Sequence, residues 1–291
     1  MILVDMNQVM ISNLMVSISM NPEIEEGLVR HMVLNSIRSY RKKFVKEFGE
    51  LVLCYDSKSY WRRKQFQFYK GTRKKDRENS SVNWNRIFEV LNKIKDEMSQ
   101  SLPYKIMEVD GAEADDVIAV LCKEQCLVNI RLQNNMQPPE KILILSGDKD
   151  FIQLQKYPFV TQYNPIQKKW VTGVDPHQYI AEHVLKGDRS DGIPNFLSPD
   201  ETFVKQQRQR PLSKKNLAKW IEEDPENFCD ENTIKFFERN QKLINFDFIP
   251  TDVHESIIDT YDTLVPNKRG LMYPYFAKHE LNELLNDIGD F

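Results

Sequence analysis

The sequence predicts an α/β protein with a central, mainly parallel sheet covered by helices on both faces, followed by a mainly helical region. Two observations carry this. Short β-rich apolar runs alternate with longer helical patterns through the first half of the chain, and from about Asp175 the pattern turns helical and more polar. The expected division is therefore an α/β domain over 1–174 and a helical region over 175–291.

The runs Ile2–Val4, Leu51–Tyr55, Lys105–Val109 and Lys141–Leu145 read as strands. Between them, 27–48 repeats apolar residues at helical spacing (Leu28, Met32, Val33, Ile37, Phe44, Phe48), as does 84–98 (Ile87, Phe88, Leu91, Ile94, Met98). Residues 117–128 read as a third helix, and 159–172, around Asn164-Pro165, as a short additional strand pair. The closing segment 281–291 reads as an amphipathic tail that packs on a core.

Composition sets bounds on function. With 291 residues, 41% of them apolar, the chain can bury a real core, and a mean hydropathy of −0.55 without long apolar runs excludes a membrane protein. The first residues carry no basic or small-residue targeting pattern, so a cytoplasmic protein is expected. Four cysteines without zinc spacing read as small packing residues, and the five histidines show no relation in sequence to the acids. No phosphate-binding P-loop and no GxGxxG occurs.

The net charge of −3 conceals two basic stretches. Residues 60–77 hold eight Lys/Arg against one Asp, with five aromatics interleaved, and 204–220 hold six Lys/Arg and no acid. Such segments suit a phosphate backbone, with aromatic faces for bases. The candidate nucleic-acid contacts are Arg62, Arg63, Lys74 and Lys75 in the first, and Lys205, Arg208, Arg210, Lys214, Lys215 and Lys219 in the second.

The acids are placed as tellingly. Three strands run into an aspartate (Asp5, Asp56, Asp110), and the fourth reaches Asp148 and Asp150 after a short turn. Parallel strands end along one edge, so these side chains converge there. Glu113, Asp115 and Asp116 open the next helix at that edge, and Asp188 and Asp191 follow in a turn-like segment. Asp110-Gly-Ala-Glu113 has capping-box spacing, and Asp110 reads as a cap. The other nine carboxylates, with no Lys, Arg or His run in the same loops, repel one another unless cations fill the cleft. All-oxygen ligands select a hard ion, two Mg²⁺ with Mn²⁺ able to substitute. Two such ions about 3.5–4 Å apart suit phosphodiester hydrolysis. A non-catalytic single-strand or junction-binding protein would share the basic segments without needing the acids. A metal-dependent phosphatase would keep the acids without needing the basic segments.

In order along the chain, Val4-Asp5, Tyr55-Asp56, Tyr69-Lys-Gly-Thr-Arg73, Glu113-Ala-Asp-Asp116, 146–154 and Gly187-Asp-Arg-Ser-Asp-Gly-Ile-Pro194 resemble the flap-endonuclease family of 5′ nucleases. The resemblance covers nearly the whole chain. It implies a first metal site of Asp5, Asp56, Glu113, Asp115, Asp116 and Asp148. The second would be Asp150, Asp188 and Asp191, with Asp115 or Asp116 between the two. It implies a basic helical arch at about 60–83, whose Lys70 and Arg73 act on the scissile phosphate, and a helix-hairpin-helix-like region gripping duplex DNA. The implied activity is 5′ to 3′ exonuclease and flap endonuclease on RNA–DNA hybrids and on duplex or flap DNA, removing primer RNA during lagging-strand replication. A single-strand DNA-binding protein and a sliding clamp are implied partners of a monomer. Where the family carries a glycine hairpin that often holds potassium, this chain reads Asn195-Phe-Leu-Ser-Pro-Asp200, which counts against a potassium site.

Overall fold

The computed structural model describes residues 1–20, 24–80 and 82–291, and the side chains of residues 20 and 74–76 are not among those described. The nucleic-acid contacts expected of Lys74 and Lys75 therefore lie outside the described side chains.

In chain order the elements begin with β1 (Ile2–Asp5), α1 (Met6–Met20), α2 (Glu26–Phe48), β2 (Leu51–Tyr55), α3 (Trp61–Gln65) and α4 (Gly71–Glu78). They continue with α5 (Trp84–Ser101), β3 (Lys105–Glu108), α6 (Ala114–Asn134), β4 (Ile142–Leu145), a 3-10 turn at Asp150–Lys156, β5 (Val160–Asn164) and β6 (Lys169–Val171). The remainder is helical: α7 (Pro176–Lys186), α8 (Lys214–Trp220), α9 (Thr233–Ile244), α10 (Thr251–Thr263), α11 (Met272–Lys278) and α12 (Asn282–Asn286).

The sheet runs β3-β2-β1-β4-β5-β6, parallel except for the antiparallel β5–β6 hairpin at one edge. That hairpin is the additional strand pair expected at 159–172. β1 lies in the middle, with Ile2 opposite Leu51 on one side and Leu143 on the other. Strands covered on both faces need continuous apolar runs, and β1, β2 and β4 are buried at every position.

One face packs α1, α2 and α5 with Val33, Ile37, Ile87 and Ile94; the other packs α6 and α10 with Val117, Ile118 and Ile257. Helix α1 is a difference from the sequence reading, which assigns no element to 6–20. Its residues are apolar on several faces and lack an acidic first turn, so no amphipathic stripe marks it. Burial decides instead: Met6 and Leu14 are fully enclosed, each contributing roughly 1.5–3 kcal/mol.

In the second region α7 and α8 are joined by a long irregular connection, for the whole of 187–213 has no helix or strand. Pro194, Pro199 and Pro211 interrupt that stretch, and side chains replace the missing backbone ladder. Buried Asn195 donates from Nδ2 to the Arg210 carbonyl at 2.8 Å, and Arg239 donates to the Pro194 carbonyl at 2.7 Å and pairs with Asp200 at 2.6 Å. From Phe246 onward the chain returns to the sheet. Phe246, Val253 and Ile257 join the α6 face, while Phe276, Leu284 and Phe291 join the α1/α2 face. Residues beyond 174 thus complete both cores against the sheet, while Leu185, Phe196 and Leu217 form a smaller core of their own.

Candidate active site

The carboxyl edge of the sheet is where the acids meet. Asp5 ends the central strand, and its carboxylate accepts from the Gln8 backbone N–H at 3.1 Å and from Ser146 Oγ at 2.9 Å. Asp56 follows β2 and accepts from the Ala114 N–H at 2.8 Å, which fixes the start of α6 against β2. Asp148 follows β4 through Gly147, where an added Cβ would lie 2.6 Å from the Asn164 amide, so the turn needs glycine. The last two acids sit in the 188–193 loop. Gly187 precedes them at φ +68°, with a Cβ position 2.4 Å from the Ile193 carbonyl, and again only glycine fits.

Seven carboxylates (Asp5, Asp56, Asp115, Asp148, Asp150, Asp188, Asp191) line one cavity of about 320 Å³, together with Lys70 and Arg73. Burial, and then the neighbouring acids, push Asp5 up to about 6 and Asp150 up to about 7 and raise Asp115, whereas burial raises Asp56 and Asp191 against the pull of Lys70. Asp115 feels Asp148, Asp5 and Asp56, whereas Asp150 feels Asp148, Asp188 and Asp191. The acids thus fall into two groups with Asp148 common to both. Carboxylates held this far from their ordinary range mark a place short of positive charge.

Glu113 and Asp116 do not line that cavity. They are 1% and 0% exposed and pair with Arg62. The Arg62 guanidinium lies 2.8 Å from Glu113 Oε2 and 2.8 Å from Asp116 Oδ1, and its Nε donates to the Leu243 carbonyl at 2.8 Å. Trp61 Nε1 donates to Asp116 at 3.1 Å. One expectation is corrected here: Arg62, 3% exposed, is buried against Glu113 and Asp116, which serve as its counter-charges, rather than standing on the surface. The capping box is also displaced: Asp116 closes back on the Glu113 N–H at 3.0 Å, and Asp110 instead accepts from Ser59.

Cations reach these acids from other segments of the chain. Lys70 Nζ binds Glu113 Oε1 and lies 3.9 Å from Asp191, and Arg73 pairs with Asp191 at 2.6 Å. Although burial disfavours its charge, Asp191 and Glu113 hold Lys70 above the ordinary lysine range. Burial likewise works against Glu113, yet Lys70 and Arg62 keep it below the usual carboxylate range. Lys70 itself sits at φ +53°, an uncommon conformation for a residue with a side chain, and leads directly into α4.

His183 is the residue the sequence reading misses. It projects from α7 with Nδ1 3.3 Å from Asp150 and Nε2 3.5 Å from Asp188, and the three form a group able to hold a metal ion. Burial lowers its pKa, but Asp188 and Asp150 outweigh it and raise the group overall. Asp188 is held low by His183 and Ser190 against the effect of its own burial. The spacing His183-x4-Asp188 is the available signal.

Of the expected nucleic-acid contacts with described side chains, all but Arg62 are on the surface: Arg63, Lys205, Arg208, Arg210, Lys214, Lys215 and Lys219. Lys205 pairs with Glu201 at 3.0 Å and Lys219 with Glu223 at 3.4 Å, leaving both on the surface.

The sequence can now be set beside known proteins. A family model described as the N-terminal resolvase-like domain of 5′-3′ exonucleases matches residues 1–183, and one described as T4 RNase H, C terminal, matches 175–291. The ribonuclease H of Enterobacteria phage T4 is 36% identical over 300 residues, covering 99% of this chain and 95% of that protein. The chain belongs to the 5′-3′ exonuclease family. Another member, the 5′-3′ exonuclease of Buchnera aphidicola subsp. Acyrthosiphon pisum, is 31% identical over 172 residues, covering 56% of this chain and 53% of its own. Among solved structures, the T5 5′-exonuclease with bound divalent zinc matches with a TM-score of 0.61 at 15% identity. That match covers 90% of this chain and 98% of that one. A bacteriophage T5 flap endonuclease, in a pseudo-enzyme-product complex with DNA and metal ions, matches with a TM-score of 0.59 at 16% identity, over 90% and 97%. Both share this exonuclease fold. The two family models meet at 175–183, within α7, whose His183 joins the acids of the first model to those of the second. No described helix of this 5′-3′ exonuclease family member is long and apolar enough to cross a membrane.

Proposed function

We propose that this chain is a Mg²⁺-dependent 5′ to 3′ exonuclease and flap endonuclease acting on RNA–DNA hybrids and on duplex or flap DNA. The observation that carries the reading is the cavity of seven carboxylates with Lys70 and Arg73 at its wall. Its donors are oxygens except for His183, a set suited to hard divalent cations, with Mn²⁺ able to substitute. In this reading Asp5, Asp56, Asp115 and Asp148 hold one ion and Asp150, Asp188 and Asp191 the other. When bound, such ions activate the attacking water and offset charge building on the phosphate.

The protein's own groups do the rest. Asp148, whose charge is felt by both Asp115 and Asp150, would help hold the ions. Lys70, gripped by Glu113, is held as a fixed positive charge, so little reorganisation accompanies its use on the phosphate. Arg73, 41% exposed at its side chain, meets the strand from the open side. Exposed Arg63 and the bases from Lys205 to Lys219 hold static backbone charge further along. Removal of primer RNA in lagging-strand synthesis, in company with a single-strand DNA-binding protein and a sliding clamp, is the replication role this activity fits.

The test is incubation with a 5′-labelled RNA–DNA hybrid and a 5′-flap duplex, with EDTA or with Mg²⁺. Cleavage from the 5′ side only with Mg²⁺ is expected. Binding without cleavage in Mg²⁺ and Mn²⁺ points to a binding protein, and release of phosphate from monoesters alone points to a phosphatase.

A further inference from the structure

The two groups of acids differ in one chemical respect. The first, around Asp5, Asp56, Asp115 and Asp148, offers carboxylate oxygens, whereas the second includes the imidazole of His183. Among the described residues Asp150, His183 and Asp188 each bring one ligating atom within 4.8 Å of the others. Local structure sets this up. Helix α7 ends at Gly187, whose N–H donates to the His183 carbonyl at 2.9 Å and whose φ of +68° turns the chain, so that Asp188 returns onto the His183 side chain. Asp188 Oδ1 accepts from the Ser190 N–H and Oγ, both at 2.7 Å, which leaves Oδ2 to face His183 Nε2 at 3.5 Å. Tyr179, one turn earlier on α7, sets its ring edge-on to the imidazole at 5.5 Å and donates from its hydroxyl to Asp150 at 3.3 Å.

Charge pairing alone does not account for this arrangement. His31, His254 and His279 each stand beside one acid, Glu283, Glu124 and Glu97, whereas His183 stands between two. Its Nδ1 is buried and makes no hydrogen bond, although Asp150 Oδ1 is 3.3 Å away. A buried nitrogen left unmatched beside a carboxylate oxygen calls for a partner, and a cation accepts lone pairs from both.

We propose that His183 is a nitrogen ligand of the second ion, through Nδ1, and makes that position prefer a first-row transition dication such as Mn²⁺, Co²⁺ or Zn²⁺ to Mg²⁺. The inference rests on the nuclease reading above for the presence of two ions and adds that the two positions are unequal. Mg²⁺ binds oxygen and keeps several of its waters, whereas imidazole nitrogen suits transition ions, increasingly so along the series from Mn²⁺ to Co²⁺ and beyond. The carboxylates of the first position carry no such bias. Tyr179 is a positioning residue behind the ligands: its ring fixes the imidazole plane and its hydroxyl orients Asp150. The consequence is a nuclease whose second position fills with a scarce transition ion while Mg²⁺ fills the first.

The experiment loads the full chain with Mn²⁺ alone and reads nitrogen hyperfine coupling to the ion by pulsed electron paramagnetic resonance, with calorimetric titrations of Mg²⁺, Mn²⁺ and Co²⁺ beside it. Wild type is expected to show the coupling, and the pattern should change when its histidines carry ¹⁵N. His183→Gln should lose the coupling and bind Co²⁺ roughly ten-fold or more weakly, with a smaller loss for Mn²⁺ and little change for Mg²⁺. Tyr179→Phe should keep the coupling and lose part of the Co²⁺ affinity. Absence of nitrogen coupling in wild type at saturating Mn²⁺, coupling that survives in His183→Gln, or an equal loss for Mg²⁺ and Co²⁺ would each overturn the assignment and leave His183 a charge partner of Asp150 and Asp188. The wild-type spectrum decides even where the variant fails to fold. Failure to cut a 5′-labelled strand in Mg²⁺ while the coupling is present would overturn the nuclease reading and leave the nitrogen ligand standing.

Discussion

The backbone N–H of Lys70 donates to the carbonyl of Asp191 at 2.7 Å. The start of α4 is thereby tied to the loop carrying the last two acids, and the Tyr69 hydroxyl reinforces the tie by donating to the Asp191 carboxylate at 2.8 Å. The basic segment and the second group of acids move as one piece.

Lys70→Ala is expected to lower the single-turnover rate by roughly 10²-fold, the scale of losing one donor to the transition state, with a modest change in Kd. Rapid-quench kinetics at saturating protein measures it. An unchanged rate would mean that Lys70 serves only to neutralise Glu113.

Asp148→Asn should abolish Mg²⁺-dependent cleavage while leaving affinity for hybrid or duplex intact, since it alters a ligand shared by both groups of acids and leaves the exposed bases alone. Activity within about 10-fold of wild type would remove Asp148 from the ligand set.

Arg62→Met should cost about 3–5 kcal/mol of stability, because it leaves Glu113 and Asp116 buried without their counter-charge. Arg63→Ala, at an exposed position, should leave the urea midpoint unchanged and weaken duplex binding slightly. Equal stability of the two variants would contradict the buried triad.

The pH dependence of the metal-free protein has a definite sign. The Asp5 carboxyl titrates at about 6 in the fold, against 3.8 when exposed, so the folded chain binds more protons and stability falls as pH rises between those values. Asp5→Asn removes that burden while keeping both hydrogen-bonding neighbours. In EDTA the variant should therefore be more stable than wild type, on the order of 3 kcal/mol above pH 6, with the gain vanishing below about pH 4. Mg²⁺ should reverse the order in thermal melts at pH 8.

Replacing Lys214, Lys215 and Lys219 together by Ala should flatten the dependence of log Kd on log salt by about 0.9 for each duplex phosphate that these lysines no longer neutralise. An identical slope would show that α8 faces solvent in the complex.

The sequence made the sheet legible because strands buried on both faces must be continuously apolar, and the acids legible because parallel strands end together. It concealed what depends on long-range pairing. Arg62 stands in a run of bases that looks like a phosphate contact, yet it enters the interior because Glu113 and Asp116, far along the chain, need its charge. His183 reads as an isolated residue until the α7 turn brings it onto Asp150 and Asp188. Helix α1 was hidden for a different reason: enclosure on several sides erases the polar stripe that announces a surface helix. The irregular 187–213 stretch depends on Asn195 and Arg239, whose roles follow from carbonyls that only the folded loop turns inward.

The central place of β1 makes the gathering of the acids a late event of folding. Asp5 ends a strand that has no neighbours until the segments carrying Leu51 and Leu143 pair with it. The acids cannot gather around an ion before those non-local pairings form, and Asp188 and Asp191 arrive later still. A chain whose sheet is incomplete holds these carboxylates apart, so the acidic cleft comes into being only with the long-range pairing of the strands and the arrival of the 188–191 loop.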